Sequence, residues 1–147
     1  MLDRKSKFFG GRYMEWNKLN LNEIEYFCKH LKCRVEFDCL PFSWALESVI
    51  KIFSYYKIEQ FEIHDIVLFY KMIKAKSART DKVKKYTLTQ IRNGLNRMKE
   101  VECIENNSYK INYIDSSIYD NELKYGYENG YIKDTCSISI PTEKDIK

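Results

Sequence analysis

Residues 86–113 read YTLTQIRNGLNRMKEVECIENNSYKINY, which is the clearest structural pattern in this 147-residue chain. In its first half, apolar residues recur three or four positions apart, at Leu88, Ile91, Leu95 and Met98, as in a helix with one buried face. In its second half, apolar and polar residues alternate around a polar turn at 105–108, which is typical of paired strands. The stretch therefore predicts a helix over 88–100, a short strand over 101–104 and a return strand over 109–114.

Two residues mark the start of the predicted helix. Thr87 and Gln90 have the Thr-x-x-Gln spacing of a capping box, in which each side chain accepts a hydrogen bond from the backbone N–H of the other residue. Tyr86 and Ile91 occupy the positions of the hydrophobic staple that often accompanies such a box. The helix is therefore expected to begin at Leu88.

The outward face of this helix is rich in side chains that can read bases. Opposite the apolar stripe lie Thr89, Asn93, Asn96, Arg97 and Glu100, with Gln90 at the edge. A helix that needs only solubility tends to carry Glu and Lys, whereas amide and guanidinium groups can pair with base edges in a major groove. The same face is also compatible with an ordinary solvated surface in an asparagine-rich protein, and the helix alone leaves both interpretations open.

The distribution of charge favours the first interpretation. The net charge is only +4, but nine basic residues and one acidic residue lie between positions 74 and 99. Positions 20–65, by contrast, carry eight acidic and five basic residues. Positive charge is thus concentrated just before and within the predicted helix, where it would attract nucleic acid.

The N-terminal part of the chain predicts a helix and a strand. Asn20 can cap a helix over 21–31, and alternating residues over 33–39 indicate a half-buried strand. Cys28, Cys33 and Cys39 fall on the apolar sides of these two elements. This placement favours reduced core cysteines, and the lack of any CxxC pair argues against the alternative, a zinc site. No metal is expected.

Three further elements follow from local patterns. Apolar residues at helical spacing predict helices over 43–55 and 63–75. Near the C-terminus, Asn129-Gly130 lies between aromatic-rich flanks, and this dipeptide favours the two-residue turn of a β-hairpin. The final part of the chain, 115–147, is therefore expected to be a hairpin and a tail.

Length and composition indicate one soluble domain. Hydrophobic residues make up 44% of the chain, enough to form a core. The longest apolar run is far shorter than a membrane span, and the N-terminus lacks the apolar segment of a signal peptide. We expect a cytoplasmic protein that does not associate with a membrane.

The sequence shows no catalytic constellation. His30 and His64 are the only histidines, and neither has a nucleophile at a recognisable spacing. There is no glycine-rich loop for phosphates and no convincing pair of carboxylates. We therefore expect that the protein is not an enzyme, with no catalytic residues and no cofactor.

The order of predicted elements resembles the winged helix-turn-helix family. The helices over 43–55, 63–75 and 88–100 are followed by a hairpin that would form a wing at 104–110. The resemblance implies an α+β, mainly helical fold, in which three helices and a β-hairpin wing form a winged-helix core over 42–114. Residues 1–41 would then add an N-terminal helix and strand, and 115–147 the C-terminal hairpin and tail.

The resemblance also implies a function, sequence-specific binding of double-stranded DNA with the helix over 88–100 in the major groove. Such proteins are mostly transcriptional regulators and are often dimers, so a homodimer is expected as well. The side chains that would face bases are Thr89, Gln90, Asn93, Asn96 and Arg97. Those that would hold phosphates are Lys84, Lys85, Thr87, Arg92 and Lys110.

Two features depart from the family pattern. The link between the helices over 63–75 and 88–100 is longer than the usual tight turn. Glu100, Glu102 and Glu105 lie beside the expected wing, where they would repel phosphates. These acids support the alternative interpretation, a winged-helix module that binds protein within a larger transcription or replication complex.

Overall fold

The computed structural model describes residues 14–30, 42–73, 87–136 and 138–141. Within these ranges the chain forms five α-helices and one three-stranded antiparallel sheet, so the expected α+β, mainly helical class is confirmed. A 3₁₀ turn at Trp16–Lys18 precedes the first helix. In chain order the elements are α1 (Leu21–His30), α2 (Phe42–Tyr55), β1 (Gln60–Glu62), α3 (Ile63–Ile73), α4 (Leu88–Arg97), β2 (Val101–Glu105), β3 (Ser108–Ile111) and α5 (Ile118–Glu128).

The sheet joins the hairpin to the helices. Its strand order is β1-β3-β2, with both neighbouring pairs antiparallel. Phe61 of β1 lies opposite Tyr109 of β3, and their rings stack with centroids 6.0 Å apart. The sequence analysis did not predict β1. This strand lies between α2 and α3, so its pairing holds the hairpin beside those helices.

The chain passes from α2 into β1 through a helix-terminating turn. Lys57 has a φ of +67°, the left-handed conformation that commonly ends a helix. The N–H of Lys57 donates to the carbonyl of Ser54, and the N–H of Ile58 donates to that of Phe53. Ile58 and Phe53 are both buried, which is the apolar contact expected at such a helix end.

The start of α3 is fixed by two hydrogen bonds. The backbone N–H of Glu62 donates to the buried carboxylate of Asp65 over 2.7 Å. The N–H of Ile63 donates to the carbonyl of Asn107, in the hairpin turn, over 3.0 Å. Helix ends leave such N–H groups without intrahelical partners, and here one of them anchors the hairpin.

One hydrophobic core runs through all three regions of the sequence. Phe53 contacts Phe61 and Phe69 edge-on, at centroid distances of 5.7 and 5.3 Å. Phe27 of α1 packs on Tyr119 of α5 at 4.8 Å. Buried residues of the N-terminal region, the central region and α5 therefore belong to a single cluster.

The N-terminal helix is confirmed. It begins after Asn20, whose side-chain oxygen accepts a hydrogen bond from the N–H of Glu23 over 3.1 Å, as the capping pattern predicts. The strand expected over 33–39 lies outside the described residues. A membrane-spanning helix would have to be longer and more apolar than any found in the described ranges.

The predicted C-terminal hairpin is wrong, because a helix, α5, precedes Asn129-Gly130. The N–H of Gly130 donates to the carbonyl of Tyr127, and the N–H of Tyr131 to that of Gly126, which together form a Schellman helix end. Gly130 has a φ of +71°. Both a hairpin turn and a helix end favour glycine at positive φ, so the dipeptide alone could not distinguish them.

Candidate nucleic-acid interface

The start of α4 is the capping box that the sequence predicts. Thr87 Oγ1 accepts from the N–H of Gln90 over 3.1 Å, and Gln90 Oε1 accepts from the N–H of Thr87 over 2.9 Å. Both side chains are exposed. The oxygen of the Gln90 amide therefore serves the helix start, although the residue lies on the predicted base-reading face.

The buried face of α4 begins later in the helix than the sequence predicts. Ile91, Gly94 and Leu95 are buried, and Met98 is half-buried. Leu88, which the sequence places on the inward face, is 47% exposed, because as the first helical residue it lies at the margin of the core. The helix also ends at Arg97 and not at Glu100, since Met98 has extended backbone angles and a turn at 99–100 leads into β2.

Three of the predicted base-reading residues form one exposed stripe. Thr89, Asn93 and Arg97 are each four residues apart and all are exposed, so they lie above one another on the same face of α4. Threonine, asparagine and arginine side chains can together donate to and accept from base edges. The structure therefore brings together a polar, solvent-facing set on one helix.

Arg92 lies beside this stripe and contacts the hairpin. Its Nη2 donates to Asn107 Oδ1 over 2.5 Å. Asn107 is the second residue of the two-residue turn between β2 and β3 and has a φ of +66°, a conformation that asparagine adopts more readily than most residues. The guanidinium predicted to hold a phosphate is therefore in contact with the hairpin turn.

Asn96 is also engaged with the hairpin. Its Oδ1 accepts a hydrogen bond from the hydroxyl of Tyr109 over 3.0 Å. Tyr109 is only 2% exposed, and burial raises the pKa of its phenol. The carboxamide oxygen of Asn96 thus satisfies a largely buried hydroxyl group, while the residue itself remains exposed.

The outer face of the sheet has mixed charge. Lys110 is exposed on β3 and lies opposite Gln60 of β1 and Glu102 of β2. Glu100 and Glu105 are exposed as well. Between positions 87 and 111 the chain carries four basic and three acidic residues, so this part of the surface is close to neutral.

Two of the predicted phosphate contacts, Lys84 and Lys85, lie outside the described residues. In sequence they belong to positions 74–86, which carry six basic residues and one acidic residue and lead directly to Thr87. Most of the positive charge expected at the interface therefore comes from that part of the sequence.

The described residues contain no group of three His, Cys, Asp or Glu residues placed to hold a metal ion. Cys28 is half-buried against the core, and Cys33 and Cys39 lie outside the described residues. His64 is half-buried at the start of α3, and burial together with the charge of Lys71 lowers its pKa.

The sequence analysis missed two hairpin residues that contact α4, Asn107 and Tyr109. Both act through side chains that reach from the hairpin to α4.

Comparison of the chain with models of protein families, with curated proteins and with solved structures found no match. The geometry of α4 and the hairpin is therefore the basis on which a function can be argued.

Proposed function

We propose that residues 42–114 form a winged helix-turn-helix domain that binds double-stranded DNA. Helix α4 would enter the major groove, and the turn at 106–107 would be the tip of the wing. The observation that carries the proposal is the order α2, α3, α4 and then the β2–β3 hairpin, together with the strand β1 that holds this hairpin beside the helices. Three helices followed by a wing are the arrangement that the family resemblance implies.

The surface of α4 supports this role. The exposed stripe of Thr89, Asn93 and Arg97 offers the donors and acceptors that base edges require, with asparagine suited to adenine and arginine to guanine. Thr87 at the helix N-terminus and Lys110 on the wing are exposed and would contact phosphates. A helix with this exposed polar face fits a major groove in width and chemistry.

In this role the protein would be a cytoplasmic transcriptional regulator that binds, as a homodimer, a DNA site composed of two half-sites. Sequence-specific binding would rest on α4, and the basic residues at 74–86 would add a contribution that does not depend on sequence. That contribution should make affinity fall steeply as salt concentration rises.

The test is fluorescence anisotropy with random-sequence duplex DNA across a salt series. The wild-type protein is compared with the double variant Lys84→Glu/Arg97→Glu and with a matched control, Lys124→Glu/Lys133→Glu. The control reverses two exposed charges outside the proposed domain. We expect the first variant to bind at least about tenfold more weakly with a shallower salt dependence, because phosphate contacts are lost, while the control binds much as the wild type does.

Circular dichroism should show that both variants stay folded, since Arg97, Lys124 and Lys133 are exposed. Wild-type affinity in the Lys84→Glu/Arg97→Glu variant would show that α4 is not the DNA-binding surface.

A specific observation favours a second candidate function, protein binding by the same domain. Glu100, Glu102 and Glu105 are exposed along the hairpin, and Ile104 between them is 46% exposed. An apolar side chain flanked by acids suits a basic protein surface better than phosphate. If the wild-type protein fails to bind DNA even at low salt, this hairpin becomes the proposed contact with a larger transcription or replication complex.

A further inference from the structure

Two residues that the sequence assigns to DNA contact are the ones that hold the wing against α4. Arg92 donates to the Asn107 side chain in the wing turn, and Asn96 accepts from Tyr109 in β3. Arg92 and Asn96 are four residues apart and therefore lie on one side of α4. Thr89, Asn93 and Arg97, which show no such contact with the hairpin, form the neighbouring stripe.

Asn107, in the turn of the hairpin, contacts two helices. Its carbonyl accepts from the N–H of Ile63 at the start of α3, and its side chain accepts from Arg92 on α4. The residue has a left-handed backbone conformation with a φ of +66°. The tip of the wing is therefore fixed to two helices at once through a single turn residue.

Pairing with β1 already holds strand β3 of the hairpin beside the helices. The contacts from Arg92 and Asn96 add direct links from the hairpin to α4. The donor on Arg92 is charged, and a hydrogen bond from a charged donor is stronger than one between neutral groups. A wing held in place before binding loses less conformational freedom when it meets DNA, which increases affinity.

We propose that Arg92 and Asn96 are positioning residues, which set the placement of the wing relative to α4. This inference rests on the proposed function. It replaces the expectation from sequence that Arg92 holds a phosphate and that Asn96 faces a base. Since a guanidinium has five N–H donors, geometry alone allows Arg92 to contact DNA as well, and the experiment separates the two roles.

The experiment is a double-mutant cycle on DNA binding. Arg92→Met keeps most of the aliphatic stem of this half-buried residue but removes the charge and the hydrogen bond. Asn107→Gly removes the acceptor and tolerates the positive φ. Asn121→Ala, at an exposed position of α5 outside the proposed domain, is the control. Affinity for random-sequence duplex DNA is measured for each single variant and for Arg92→Met/Asn107→Gly across a salt series.

We expect each single variant to bind about fivefold more weakly than the wild type, and the double variant no more weakly than either one, because both remove the same contact. Asn107→Gly changes no charge, so an effect of this variant equal to that of Arg92→Met identifies the shared contact as the cause. Asn121→Ala should bind as the wild type does. Hydrogen exchange at the wing amides should become faster in Arg92→Met and Asn107→Gly and stay unchanged in the control.

The hydrogen bond between Tyr109 and Asn96 allows an independent test with a less disruptive variant. Tyr109→Phe removes only the hydroxyl that reaches Asn96 and leaves the ring stacked on Phe61. It should also weaken DNA binding and should not add to the effect of Asn96→Ala. If Arg92→Met fails to fold, Asn107→Gly and Tyr109→Phe still test the role of the wing contacts.

Three results would each overturn the positioning role, and they can be told apart. Should Asn107→Gly and Tyr109→Phe bind like the wild type while Arg92→Met loses affinity and its slope of log K against log salt is smaller by about 0.9, Arg92 is a phosphate contact and the inference is overturned. Additive losses in the double variant would overturn it as well. If the wild-type protein itself does not bind DNA, the proposed function fails, and the positioning role in DNA binding fails with it.

Discussion

Gly126 lies on the buried face of α5, where this helix packs directly on α1. A Cβ at this position would lie 2.8 Å from Tyr26 Cζ, 2.9 Å from Tyr26 Cε2 and 3.0 Å from Ile132 Cδ1. The Tyr26 ring cannot easily move away, because it is 2% exposed and contacts Phe27 and Tyr131. The helix therefore retains glycine at this position despite its poor helix propensity.

We predict that Gly126→Ala destabilises the protein. Alanine is the better helix former by about 1 kcal/mol, but overpacking of a buried contact typically costs about 1–3 kcal/mol, so the net change in the free energy of unfolding should be a loss. Urea denaturation measures this change, with Asn121→Ala at an exposed position of α5 as the control, expected within about 0.5 kcal/mol of the wild type. A Gly126→Ala protein as stable as the wild type would show that the two helices are less tightly packed.

Among the elements, α1, α2 and α5 are connected through a single carboxylate. Glu23 on α1 accepts from the hydroxyl of Tyr56, which directly follows α2, over 2.8 Å. Its second oxygen accepts from the hydroxyl of Tyr127 on α5 over 2.6 Å. The hydrogen bond to Glu23, with burial, raises the pKa of Tyr127 to about 12. Burial, followed by the bond to Glu23, raises the pKa of Tyr56.

These shifts predict a loss of stability at alkaline pH. Above pH 10.0, the ordinary value for tyrosine, the unfolded chain loses the Tyr127 proton while the folded protein keeps it up to about pH 12. Because the folded state then binds more protons than the unfolded state, the free energy of unfolding falls as pH rises across that interval. Urea midpoints measured across this range should fall less steeply for Tyr127→Phe than for the wild type. A control variant that removes no titratable group, Asn121→Ala on α5, should retain the wild-type slope, and an unchanged slope in Tyr127→Phe would contradict the assignment.

The elements that could be predicted from sequence are those with local signals. Helix α4 starts where Thr87 and Gln90 place it, because a capping box involves residues only three positions apart. Strand β1 has three residues, and its pairing with β3 joins positions about fifty residues apart, so no local pattern indicates it. Helix α5 was missed because its buried face contains only Tyr119, Leu123 and Gly126.

In the candidate site, too, the features that could be predicted are those that follow from a local sequence pattern. Exposure of Thr89, Asn93 and Arg97 follows from the helical period and is observed. The contacts of Arg92 and Asn96 with the hairpin depend on how two elements pack. The spacing along α4 contains no information about that packing. A predicted contact residue can therefore be exposed, as expected, and still have its polar atoms engaged elsewhere.

At the scale of the whole molecule, the C-terminal helix is part of the core. Tyr119 packs on Phe27 at 4.8 Å and on Tyr55 at 5.5 Å, and Leu123 is 7% exposed. The hydroxyl of Tyr55 donates to Asp120 over 2.6 Å. These contacts connect α5 to both α1 and α2. The region over 42–114, although contiguous in sequence, therefore shares its interior with the flanking regions.

We predict that a chain ending at residue 114 does not fold stably. Truncating one buried leucine or aromatic side chain costs about 2–5 kcal/mol, and losing Tyr119 and Leu123 together would remove much of the roughly 5–15 kcal/mol that stabilises a typical domain. The full chain should unfold in one transition seen alike by circular dichroism and by tyrosine fluorescence. A control chain ending at Pro141 keeps every residue of α5 and should match it. If the chain ending at residue 114 unfolds cooperatively with the stability of the full chain, α5 is an appendage and the region over 42–114 folds without it.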